Sequence, residues 1–214
     1  MKPLIPILAL VMASYGHAAI VITEVMSSSA HPSGGSNNGD WFELTNNGST
    51  AVDVTGWSWD DSSDAPGSGD FGALISIAPG QSVVISEEPP GDESIWLADW
   101  NLTGVTVVNL GGGVFQGLSA GGDEVNIYDA SDVLVTTATF GTATGGRSFE
   151  WDQDGNSLET SVAGENGAFV AASDGVSAAG VDIGSPGFAV VPDPASVLLC
   201  AMATLGFLGR RSRV

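Results

Sequence analysis

The chain has 214 residues, enough for one medium domain with flanking segments. Hydrophobic residues make up 43%, so it can bury a core and is not a disordered polymer. Five Lys and Arg stand against 25 Asp and Glu, a formal net charge of −20, which disfavours nucleic acid and anionic headgroups as partners. The imbalance is steeper inside the chain. Between residues 19 and 192, Arg147 is the only basic residue against 24 acids, a net of −23.

In chain order, residues 1–18 have the pattern of a secretory signal peptide. Lys2 supplies a short positive start, Leu4 to Ala13 is apolar, and Gly16-His17-Ala18 offers small residues for cleavage after Ala18. Ile20 to Met26 is then the first strand of the exported protein, followed by a polar loop from Ser27 to Gly39. Trp41 to Thr45 is a second strand. Alternation puts Phe42 and Leu44 on one face and Trp41, Glu43 and Thr45 on the other. Val52 and Val54 alternate next, and Trp57 and Trp59 are expected to share one face of a further strand. Phe42, Leu44, Trp57 and Trp59 are the expected heart of the core. Ala73 to Ile77, Ser82 to Ser86 and Val105 to Leu110 read as strands, with Ala78-Pro79-Gly80-Gln81 as a turn. Glu87 to Thr103 is irregular, with one or two helical turns between Ser94 and Trp100. Residues 124 to 140 read as a β-hairpin. Many short strands, frequent Gly turns and no sustained helical period predict an all-β sandwich.

The tail has three parts: the motif at 191–194, containing Pro192, Asp193 and Pro194; an uncharged apolar run at 195–209; and a basic end at 210–213. An apolar run closed by arginines is the pattern of a C-terminal membrane helix with a cytoplasmic stop. Its 15 residues fall short of the roughly 20 that span a bilayer, and Phe188 to Val191 and arginine snorkelling extend its reach.

Two resemblances follow from these residues. Ile22-Thr23-Glu24-Val25, Trp41 to Asn46, Val52 to Trp57, Ala78 to Gln81, Gly122 to Tyr128, Gly146-Arg147-Ser148 and Ser185-Pro186-Gly187 occur in the order seen in the lamin tail domain. Residues 20–188 therefore resemble that immunoglobulin-like β-sandwich, with Glu87 to Gly104 as an apparent insertion. The resemblance implies a fold and not a reaction. The tail resembles the PEP-CTERM sorting signal, with Asp193 in place of the usual glutamate. That resemblance implies processing by an exosortase-type membrane enzyme and a setting in exopolysaccharide or biofilm matrix.

Candidate chemistry is sparse. The lone Cys200 lies in the tail, which leaves the folded region without a disulfide, thiol nucleophile or cysteine metal site. After signal removal His31 is the only histidine, a poor basis for a Ser-His-Asp triad. Carboxylates are the abundant reactive groups. They leave open a carboxylate-dependent hydrolase, although no spacing selects a pair. Asp152, Asp154 and Asn156 pack three oxygen-bearing side chains into one turn, a candidate for weak Ca²⁺ binding. It is not an EF-hand, because Gly155 comes two positions early and Ala163 stands where the closing Glu belongs. Asp60 to Asp64 and Asp123-Glu124 are further acidic clusters, equally readable as polar turns. Trp96 and Trp100 are either an exposed carbohydrate-stacking platform or a plug at one end of the sandwich. The resulting expectation is an exported, non-enzymatic sandwich, structural or adhesive in an exopolysaccharide matrix. The alternatives are a Ca²⁺- or glycan-binding recognition module and, less favoured, the hydrolase.

Overall fold

The computed structural model describes residues 20–30, 39–172 and 181–190. The signal-like segment, His31 and the whole sorting tail lie outside the described residues. Among those described, no helix is long and apolar enough to cross a membrane.

Ile20–Met26 (β1) pairs antiparallel with Trp41–Asn46 (β2), and β2 pairs antiparallel with Ser82–Ser86 (β7). Phe149–Trp151 (β11) and Ser157–Thr160 (β12) extend the sheet on one side, and Thr106–Asn109 (β8) extends it on the other. The order of this six-stranded sheet is β12-β11-β1-β2-β7-β8. A four-stranded sheet faces it, built from Ser58–Asp60 (β4), Gly69–Asp70 (β5), Asp123–Tyr128 (β9) and Leu134–Phe140 (β10), in the order β10-β9-β4-β5. Two short ribbons complete the strands. Val52–Asp53 (β3) pairs with Ser76–Ile77 (β6), and Phe169–Val170 (β13) pairs with Ile183–Gly184 (β14). The expected hairpin at 124–140 is β9 and β10.

Strands β7 and β8 run parallel, which a tight turn cannot achieve. The irregular stretch between them is the crossover, carrying the helix Glu93–Asp99 (α1). The apparent insertion is thus the link that lets β8 join the sheet edge.

The core between the sheets contains Ile20, Ile22, Val25, Phe42, Leu44, Val83 and Ile85 from the larger sheet. Trp59, Val125, Ile127, Ala138 and Phe140 meet them from the smaller one. Phe42, Leu44 and Trp59 are at its centre as expected, with Phe42 and Trp59 ring centroids 5.1 Å apart. Trp57 is not. It precedes β4, is half-buried and packs against the margin of the cluster. The strand begins one residue later because Trp57 N donates to the Val54 carbonyl, so Trp57 closes a turn.

The other face of the larger sheet is also buried. Met26, Trp41 and Val84 lie under Trp96, Trp100 and Ala171 in a second apolar cluster. Trp41 meets both tryptophans edge-on, at 5.7 Å from Trp96 in α1 and 5.6 Å from Trp100 at its C-cap. Trp96 and Trp100 are 5% and 3% exposed, which overturns the stacking-platform expectation. Leu97 and Leu102 pack beside them on the same sheet face. The molecule therefore has three layers, with the six-stranded sheet in the middle.

Candidate functional site

A bulge in β1 decides what lies on that covered face. Ile22 pairs with Leu44, but Glu24 pairs with Glu43, so Thr23 is an extra residue on β1. Strict alternation from Ile20 and Ile22 would send Glu24 into the apolar core. The bulge turns it to the covered face and returns Val25 to the core. Glu24 is also the register partner of Glu150 on β11. Three glutamates thus stand side by side across adjacent strands: Glu150, Glu24 and Glu43. Their exposures are 2%, 0% and 0%.

Like charges in cross-strand positions repel, and burial removes the water that would soften the repulsion. Burial, the adjacent Glu43 and, more weakly, Glu150 push Glu24 well above the carboxylate range. Burial pushes Glu43 up to about 7 against the pull of its hydrogen bonds. Glu150 is also raised, chiefly by burial.

Hydroxyls and backbone amides answer these acids. Ser148 Oγ donates to Glu24 Oε1 at 2.5 Å, and Ser185 N donates to the same oxygen at 2.7 Å. Thr23 Oγ1 donates to Glu43 Oε1 at 2.6 Å, and Gly187 N donates to Oε2 at 2.5 Å. Ser185 and Gly187 follow β14, so the Ser185-Pro186-Gly187 turn is fastened by the acids beneath it. Gly184 has to be glycine here, because a Cβ would stand 2.5 Å from Glu24 Oε1. Arg147 is not their counter-ion in the hydrogen-bond pattern, since its Nη1 donates to the Ser161 carbonyl at 2.7 Å. All three acids are buried, and burial raises each of them, an arrangement that suits holding a fold together.

The second acidic place is open. A hollow of about 330 Å³ is lined by Asp40, Asp61, Glu87, Leu118, Ser119 and Asp123. Four loop-to-strand junctions meet there: the start of β2, the end of β4, the end of β7 and the start of β9. Ser62 N donates to Asp123 Oδ1 at 3.3 Å and Ser119 N to Asp123 Oδ2 at 2.9 Å, which ties the loops together. Asp40 is 2% exposed. Its Oδ2 accepts from Leu118 N at 2.9 Å, whereas its Oδ1 has no hydrogen-bond partner. Burial, with Glu87 and Asp123 adding repulsion, pushes the Asp40 carboxyl up to about 7. Glu87 is raised by burial as well.

Asp152, Asp154 and Asn156 occupy one turn as predicted, but the Asp152 carboxylate is engaged within it. Asp152 Oδ1 accepts from Asp154 N and Asn156 N, both at 2.9 Å, and Oδ2 accepts from Asn156 Nδ2 at 3.0 Å. Among the described residues, no three His, Cys, Asp or Glu side chains converge tightly enough to hold a metal by themselves. Asp61 and Asp123 belong to the two other acidic clusters seen in the sequence, and the structure brings these two together. Asp40 and Glu87 escaped sequence reasoning, because a single Asp before a strand and a Glu after one carry no local signal.

The lamin tail domain family profile matches residues 13–159, more than half of the chain. The chain belongs to the lamin tail domain family. A search of curated proteins finds none that matches it. The lamin tail match ends inside β12, so the β13–β14 ribbon and the turn that fastens Glu24 and Glu43 lie beyond it. As a lamin tail domain this chain is an immunoglobulin-like sandwich module, a fold that is typically non-catalytic. Its acidic row and its acidic hollow are features of its own residues.

Proposed function

We propose that this lamin tail protein is exported, is not an enzyme, and serves a structural or adhesive role at the cell surface within an exopolysaccharide matrix. The observation that supports the non-enzymatic reading is the fate of two strongly perturbed carboxylates on the covered face. Glu24 and Glu43 are covered on every side and hydrogen-bonded into the fold, so neither reaches a substrate. A hydrolase needs two carboxyls flanking an open cleft, and Glu24 and Glu43 are both 0% exposed. The surface setting is supported by the order of parts in the chain: the signal-like residues 1–18, the sandwich, then Pro192-Asp193-Pro194, the apolar run 195–209 and the arginines. An exosortase-type enzyme is the processing partner, with the tail anchoring the chain in the inner membrane until it acts. Polysaccharide is the matrix partner. Intact-mass analysis of protein released from the cell surface tests this. The expected mass lacks residues 1–18 and the segment after the Pro192-Asp193-Pro194 region. A full-length C-terminus on the surface protein refutes sorting and leaves simple anchoring.

One observation favours a second reading, an extracellular recognition module. The hollow at Asp40 is open, preformed and strongly acidic. Glycan stacking is not its chemistry, because no aromatic side chain lines it.

A further inference from the structure

We propose that, while the tail holds the chain in the membrane, the sandwich stands on the bilayer with one defined end down. That end is formed by residues 46–50, 78–81 and 152–156, and the acidic hollow faces outward from the other. The inference rests on the anchoring reading of residues 191–213 and adds to it the posture of the body. It is independent of processing and of any matrix role.

The first argument is where the sandwich begins and ends. Ile20 opens β1 opposite Asn46, the last residue of β2. Asn47 Nδ2 donates to the Gln153 carbonyl at 2.6 Å, and Gln153 N donates to the Val190 carbonyl at 3.0 Å. Gly80 N donates to the Asn46 carbonyl at 2.8 Å and brings the Ala78 to Gln81 turn to the same place. Ile20 and Val190 therefore leave the sandwich at the same end. Ala19 alone separates Ile20 from the signal-like segment, and residues 191–194 alone separate Val190 from the apolar run. Both apolar segments of the sequence are attached here.

Reach is the second argument. The four residues 191–194 span at most about 14 Å. The hollow lies at the opposite end, where β2 begins after Asp40 and β7 ends before Glu87. The six residues of β2 set the two ends about 20 Å apart. A tether of that reach, fixed at Val190, is too short to run along the body and let the hollow face the bilayer. Charge is the third argument. It does not choose between the ends, because the β9–β10 turn with Asp129 and Asp132 and the turn with Asp152 and Asp154 also stand at the tethered one. It does oppose lying flat. With 24 acids against Arg147 between residues 19 and 192, anionic headgroups repel the flanks, and standing on the tethered end keeps most of that surface away from them.

The test uses the full chain carrying Cys200→Ala, reconstituted into vesicles of phosphatidylcholine and phosphatidylglycerol with a nickel-chelating headgroup lipid. Nitroxides are attached one at a time at exposed positions. Ser49→Cys and Ala78→Cys report the tethered end, and Ser62→Cys and Gln116→Cys report the hollow end. Headgroup nickel relaxes a nitroxide only at short range. The expected relaxation enhancement at Ser49 and Ala78 is several-fold that at Ser62 and Gln116. Thermal melting checks that each labelled variant is folded, and either member of a pair suffices where the other is not. Flotation of the vesicles separates the two ways of failing. A chain that does not float with them overturns the anchoring reading, and the posture with it. A chain that floats with equal relaxation at both ends lies flat, and one relaxed more at Ser62 and Gln116 is inverted; either result overturns the posture alone.

Discussion

Replacing Glu43 by Gln should make the protein more stable at alkaline pH, although it removes a side chain with two short hydrogen bonds. In the unfolded chain the Glu43 carboxyl titrates near its ordinary value of 4.5; in the folded protein burial raises it to about 7. A carboxyl raised by folding costs nothing while both states are protonated. As pH rises from about 4.5 to 7 the unfolded state ionises first and is favoured, so stability falls over that window and levels off above it. The 2.5-unit difference between those two values, at 1.36 kcal/mol each, corresponds to about 3 kcal/mol. Gln abolishes the ionisation. Its carbonyl can accept from Gly187 N, and its amide can donate to Thr23 Oγ1, which then donates to Thr45. The assay is urea unfolding at pH 4.5, 6 and 8 in about 0.5 M NaCl, to suppress surface repulsion. Glu159→Gln, on the exposed surface, serves as the control. Wild type should lose about 3 kcal/mol more than Glu43→Gln between pH 4.5 and 8. If both proteins lose the same amount, within about 0.5 kcal/mol, Glu43 does not hold its proton and the reasoning fails.

The remaining predictions concern the covering layer and the Asp152 turn. Trp100 is 3% exposed and meets Trp41 and Phe169 edge-on, so Trp100→Ala should cost about 3–5 kcal/mol in urea unfolding. A cost under about 1 kcal/mol would mean that the helix is an ornament and the second cluster is not a core. Asp152→Ala removes the acceptor for three donors in its turn and should cost about 2 kcal/mol, read as a shift in urea midpoint without a change in slope.

The apolar half of the fold is plain in the sequence because its causes are local. Phe42 and Leu44 alternate within one strand, and the β9–β10 hairpin carries its own alternation and its own turn. The covered face is hidden because its causes are distant. Trp41, Glu43 and Thr45 look like the solvent side of a two-layer sandwich. What buries them arrives from Trp96, Trp100, Phe169 and Gly187, between about 50 and 145 residues further along. Glu24 illustrates the limit best. No periodicity announces the bulge at Thr23, yet that single extra residue decides whether a carboxylate enters the apolar core or joins a row of acids. The hollow is hidden for the same reason, since four junctions far apart in the chain compose it.

The two acidic places answer one physical problem in different ways. A chain with 24 acids and one arginine between residues 19 and 192 has almost no side-chain cations with which to neutralise the carboxylates it buries. On the covered face it uses the donors of Ser148, Ser185, Thr23 and Gly187. Two of those donors come from the segment beyond the family match, so the acids also secure the last turn of the domain onto β1 and β2. A row of aliphatic side chains would bury more cheaply, yet it would hold that turn by contact alone and with no preferred register. At the Asp40 hollow the same shortage leaves Asp40 Oδ1 without a hydrogen-bond partner, with Glu87 and Asp123 adding repulsion. The difference lies in the cover. Where β14 and its turn close over the carboxylates, the turn's own amides reach them. Where four loops meet without closing, the acids line an open hollow.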